Sequence, residues 1–166
     1  MKQHFSVGTF ESDSAEFWDA GNFLLSETID AIGEIWRNDE LPNHVPTMLR
    51  FEFPALVLLH LSVELLLKAL ILQSHKILVA DPRHGHDLVY LFNLCKSTNQ
   101  DLDKVIYLRV LEELNPIVKN RYKHTRNHGY KLNILEILNE MRELILPKLN
   151  RDVGYTFDAK LRRIED

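Results

Sequence analysis

The stretch FPALVLLHLSVELLLKALILQSHK, from Phe53 to Lys76, is apolar almost all the way round a helix, and its greasiest part, Leu56 to Leu72, is interrupted by His60, Glu64 and Lys68. A helix of that kind has no wet face to offer, so other helices must wrap it. The spacing therefore predicts the central, buried helix of a bundle, beginning near Pro54, a residue suited to a first helical position. Crossing a bilayer would take about 20 predominantly apolar residues, and the three polar residues interrupt the run. The expectation is a soluble, cytoplasmic protein with no membrane partner.

The segments on either side carry helical periods. From about Ser14 to Arg37, Phe17, Gly21, Leu24, Leu25, Thr28, Ile32, Ile35 and Trp36 recur every three or four residues, while Glu16, Asp19, Glu27, Asp30 and Glu34 take the opposite side. Ser12 and Ser14 offer capping oxygens for this helix. Beyond the central helix, ILVADPRHGHD breaks the pattern, DLVYLFNLCKS reads as a short helix, and DLDKVIYLRVLEELNPIVKNRY continues as helix with Asn115-Pro116 kinking or restarting it. Asn133 is placed to cap a last helix from about Leu135 to Leu146, which Pro147 stops. The run RDVGYTFDAKLRRIED carries no assignable pattern. No βαβ alternation and no useful strand-period run is present. The fold expected is all-α, a four- to six-helix bundle. One domain should span 1–166, with its core at about 14–149 and a tail at 150–166.

Composition bounds the function. With 20 Lys and Arg against 24 Asp and Glu, the net charge of -4 argues against a wholesale cationic nucleic-acid binder. The charge is unevenly spread. Between Met1 and Val45 the acids Glu11, Asp13, Glu16, Asp19, Glu27, Asp30, Glu34, Asp39 and Glu40 face only Lys2 and Arg37, whereas Leu114 to Leu135 carries Lys119, Arg121, Lys123, Arg126 and Lys131 and no acid. The single cysteine, Cys95, allows no intrachain disulfide and suits a reducing compartment. The N-terminal MKQHFSVGTFESDS has no apolar core of a secretory signal. Scattered glycines form no phosphate-cradling loop, no Glu-x-x-His pair suits a di-iron centre, and no Gly-x-Ser-x-Gly elbow occurs. His84-x-His86 and His124-x-x-x-His128 could each bring two imidazoles to a metal, but nothing indicates a third ligand, so neither a metal nor another cofactor is expected.

Two constellations remain. On the central helix, His60, Glu64 and Lys68 stand four residues apart and form one stripe. Because a buried charge is costly unless paired, the stripe is either an internal Glu64 to Lys68 salt bridge with His60 beside it or the wall of a functional cleft. The second is NRYKHTRNHGY, Asn120 to Tyr130, basic throughout. Six residues separate Arg121 from His128, so on a continuous helix the two lie within about 20° of one face. An arginine fork holds a phosphate, and a histidine titrating near neutrality can act as base or acid on an RNA 2'-hydroxyl without a metal. Lys123, His124 and Arg126 would add to the positive field. The same stretch also reads as a solvated helix end whose cations suit the helix dipole.

Taken in order, HLSVELLLKALIL, HGHDLVYLFNLC and the arginine-to-histidine spacing of Arg121 and His128 resemble the HEPN superfamily over about Ala15 to Leu146. In that family a Glu precedes Leu and Lys within an apolar helix, a histidine leads a short following helix, and four to six residues separate an arginine from a histidine. The resemblance implies an all-α, HEPN-like bundle, a homodimer in which the arginine and histidine of both copies meet in an interface cleft, and metal-independent endoribonuclease activity of the toxin or phage-defence type. Some such toxins pair with a nucleotidyltransferase antitoxin. Carried onto this chain, Arg121 would bind and polarise the scissile phosphate, His128 would act as general base or acid, and Glu64 and Lys68 would support the cleft. Tyr122 stands where the family usually has a small polar residue. The resemblance extends also to members that have lost catalysis and serve as nucleotide-binding or protein-interaction modules.

Overall fold

The computed structural model describes residues 2–38, 52–79, 84–119 and 134–158. Among them are five α-helices: α1 (Val7–Asn38), α2 (Glu52–His75), α3 (Leu88–Lys96), α4 (Val105–Lys119) and α5 (Ile134–Ile145). Two 3-10 turns, Gln100–Leu102 and Leu146–Lys148, and a two-stranded antiparallel ribbon of β1 (Lys2–Ser6) and β2 (Gly154–Asp158) complete the architecture. The molecule is a mainly helical bundle.

α2 is the axis of the core, as its all-round apolar surface requires. Leu56, Leu59, Val63, Leu66, Leu67 and Leu70 pack with Trp18 and Leu25 of α1, Leu88, Leu91 and Phe92 of α3, Tyr107, Leu111 and Leu114 of α4, and Leu138, Met141 and Ile145 of α5. Each fully buried leucine contributes roughly 2 kcal/mol. By length and composition α2 could cross a membrane, yet 72% of its most apolar window is buried inside the protein. Cys95 is part of this core, and burial pushes its thiol up to about 12, where it is unionised at any physiological pH.

α1 and α2 approach closely because small residues line the seam. Gly21 lies against the backbone of Ala55 and Leu59, and a Cβ there would meet Ala55 O at 3.0 Å and Leu59 N at 3.1 Å. Ser14 is also buried in this seam. Its hydroxyl donates to Ser62 O at 2.9 Å, and the Ser62 hydroxyl donates to Ser14 O at 2.8 Å. Ser14 is thus a cross-helix partner and not a cap. The helix starts at Val7 instead of near Ser14, because Ser6 Oγ accepts from the Thr9 N–H at 3.0 Å. That is the N-cap bond to the third helical residue.

The ribbon joins the two ends of the described chain, with Lys2 opposite Asp158 and Ser6 opposite Gly154. Neither strand was expected from sequence. A small second core lies beneath them, where Val7, Ala69 and Leu72 are covered by Phe5, Phe10, Leu149, Val153 and Tyr155. Gln73 of α2 clamps the approach to β2. Its amide donates to Lys148 O and accepts from Asn150 N, both at 2.6 Å. Nearby, Arg151 reaches Glu11 through a two-pronged pair at 2.6 Å.

The helix ends follow local chemistry. Past α2, Lys76 adopts the left-handed conformation (φ 57°), and its N–H donates to Leu72 O at 3.0 Å. α4 runs through Pro116 without a break in helical assignment. α5 gives way at Ile145 to a 3-10 turn that contains Pro147. The proposed cap Asn133 lies outside the described residues.

Candidate functional site

The polar stripe on α2 is built into the core. His60, Glu64 and Lys68 project from successive turns, and the Lys68 ammonium donates to Glu64 Oε1 at 2.6 Å. Glu64 has only 4% of its side chain exposed, so the pair is largely desolvated. To this extent the plain salt-bridge account is correct.

The spacing did not give the third partner. In the turn before α3, His86 places Nδ1 at 3.0 and 3.1 Å from the two Glu64 oxygens. A carboxylate oxygen accepts, so Nδ1 is the donor in this contact. The side chain of His86 is 60% exposed. A carboxylate sunk in the core thus holds an imidazole that faces water.

Several contacts hold the turn that carries His86. Asp87 caps α3, its Oδ1 accepting from Val89 N and Tyr90 N at 3.1 Å each. Asn115 of α4 ties the same point from the other side, donating to Asp87 Oδ1 and accepting from Leu88 N, both at 2.9 Å. The His84 ring stacks on Tyr90 at 4.6 Å. Three elements thereby converge beside Glu64, and Asn115 stands in the last turns of α4, which ends at Lys119.

His60 plays a different part. It is fully buried, its Nδ1 lies 3.8 Å from Glu64 Oε2, and neither ring nitrogen has a hydrogen-bond partner among the described residues. Burial pushes its pKa down to about 4. The Glu64 carboxylate pulls the other way, but His86 and Lys68 oppose it, and desolvation prevails. His60 is therefore neutral at pH 7 and brings no charge to the cluster.

Of the residues singled out in the sequence, the structure brings His60, Glu64 and Lys68 together. Arg121, Lys123, His124, Arg126 and His128 lie outside the described residues. Sequence reasoning missed His86 as a partner of Glu64, and it missed Asn115. The signal for His86 was the capping Asp87 directly after it, because a fixed helix start also fixes the residue before it. Asn115 offered no such signal.

No family model, no curated protein and no solved structure matches this chain.

Proposed function

We propose that this chain is a HEPN-like, metal-independent endoribonuclease of the toxin or defence type, in which Arg121 binds the scissile phosphate and His128 acts as general acid or base. The observation that carries the reading is the polar cluster around Glu64. A bundle of this size gains nothing in stability from burying a carboxylate, a lysine and a histidine on its central helix when apolar residues would serve at least as well. Such groups are retained where chemistry needs them. Further support comes from the order of the helices and from the basic run that follows α4, which together match the family pattern read in the sequence. On this reading the protein is a cytoplasmic homodimer with the arginine and histidine of both copies facing one cleft, and a nucleotidyltransferase-type antitoxin is its natural partner.

The test is cleavage of labelled total RNA and short oligonucleotides, with chelator present, by the wild type, Arg121→Ala and His128→Ala. The proposal expects cleavage by the wild type alone, with all three proteins folded and in the same oligomeric state. Equal cleavage by all three would remove Arg121 and His128 from the mechanism. Absence of cleavage by the wild type would leave a nucleotide-binding or protein-interaction module, and nucleotide titration would then be the deciding experiment.

A further inference from the structure

We infer that the stacked rings of His84 and Tyr90 are a subsite for one unpaired nucleobase of single-stranded RNA. The choice of ligand rests on the ribonuclease reading above, but the subsite uses none of that reading's acid–base chemistry. The two ring centroids lie 4.6 Å apart and the planes are 26° from parallel, a stacked pair. Both residues are open to water, for His84 is exposed and Tyr90 keeps 39% of its surface accessible. A stacked pair at a surface leaves an outer face wet. A third flat ring laid on that face removes apolar area from water and asks for no rearrangement of the protein.

The platform is mounted before any ligand arrives. The Asp87 N–H donates to His84 O at 3.1 Å, which closes the turn and folds His84 back over the start of α3. The Asp87 carboxylate accepts from the Tyr90 N–H at 3.1 Å, and Asn115 of α4 donates to the same carboxylate at 2.9 Å. The backbones of both rings are thus tied to one capping residue, so that stacking a base costs little further ordering. His86 stands between them in the chain. Its Nδ1 is held at 3.0 Å by the buried Glu64 carboxylate while 60% of its side chain is exposed, which gives the same turn a fixed hydrogen-bonding edge.

The size and surroundings of the patch select a base over a protein partner. One and two turns further along the exposed side of α3 stand Asn93 and Ser97, both polar and both exposed. The centre of a protein interface is a contiguous apolar area, whereas here the aromatic surface ends after two rings. Every base of a single strand presents a flat face of matching size, and stacking on an aromatic side chain accepts any of them. The bases of a duplex are already stacked on one another and have no such face to give.

The experiment measures binding of an uncleavable 2'-O-methyl oligoribonucleotide to the full chain by fluorescence anisotropy, for the wild type, His84→Ala, Tyr90→Ala and His84→Phe. An abasic oligomer of the same length and charge is titrated in parallel. Each alanine variant should bind the intact oligomer about 10-fold more weakly than the wild type does and should bind the abasic oligomer equally well. His84→Phe should keep wild-type affinity because it keeps the flat ring. Equal affinity of the wild type and both alanine variants for the intact oligomer would overturn the subsite and leave Arg121 and His128 untouched. A loss as large on the abasic oligomer would overturn it too, since the rings would then serve the shape of the turn and not a base. So would a wild type that binds no oligomer. A wild type that binds through the two rings but cleaves nothing would leave the subsite standing and remove the ribonuclease reading alone.

Discussion

Replacing His60 by leucine should make this protein more resistant to acid, and the structure sets both the direction and the size of the effect. The ordinary pKa of 6.5 falls to about 4 in the folded protein because the ring is buried. Between those values the unfolded chain binds more protons than the folded one. Stability is therefore fully present above pH 6.5 and is lost as pH falls through the window toward 4. Integrating that difference gives a loss of about 2 kcal/mol between pH 7.5 and pH 5 from this one side chain. Leucine is close in volume, takes up no proton and removes two ring nitrogens that have no partner among the described residues. The assay is urea unfolding of both proteins at pH 7.5, 6 and 5, with stability obtained by linear extrapolation. All other titrating groups are shared, so the difference between the two proteins isolates His60. The variant should equal or exceed the wild type at pH 7.5 and gain about 2 kcal/mol on it by pH 5. A difference independent of pH would mean that His60 is not held neutral in the fold, and the burial argument would fail.

Other perturbations follow from the same contacts. Glu64→Ala strips Lys68 of its counter-charge and His86 of its hydrogen-bond acceptor and should cost about 3 kcal/mol of stability in urea unfolding; a loss well below 1 kcal/mol would show that the cluster is solvated. Gly21→Ala gains about 1 kcal/mol of helix propensity, but its Cβ meets the backbone of Ala55 and Leu59. The overpacking costs roughly 2 kcal/mol, so the melting temperature should fall, and a rise would refute the tight α1–α2 seam. Lys76→Gly relieves a left-handed residue at the end of α2. It should stabilise by about 1 kcal/mol, whereas a loss would mean that the lysine side chain contributes more than the strain costs.

What was legible in the sequence was whatever local pattern dictates. α2 could be read because no other arrangement hides a helix that is apolar all round, and its start at Glu52 is within a turn of the expectation at Pro54. α5 was legible from its apolar stripe and the proline beyond it. The start of α1 was misread because Ser12 and Ser14 look like caps in isolation. Ser6 holds that place, and the two buried serines of the α1–α2 seam satisfy each other across helices, which no local signal reveals. The ribbon was illegible for a similar reason. Each strand has only five residues, and its partner lies at the other end of the chain, so neither shows its pairing locally. In the site, the spacing along α2 gave Glu64 and Lys68 directly, whereas His86 reaches Glu64 across 22 residues, through a turn whose placement depends on Asp87 and on Asn115 of a later helix.

The chemistry of the RNA ends tests the central claim most directly. RNA incubated with the wild-type protein and chelator, then analysed by mass spectrometry, should carry 2',3'-cyclic phosphate and 5'-hydroxyl ends, because in the proposed reaction the 2'-hydroxyl is the nucleophile and no metal takes part. Ends bearing 3'-hydroxyl and 5'-phosphate, or RNA left uncut, would contradict the account.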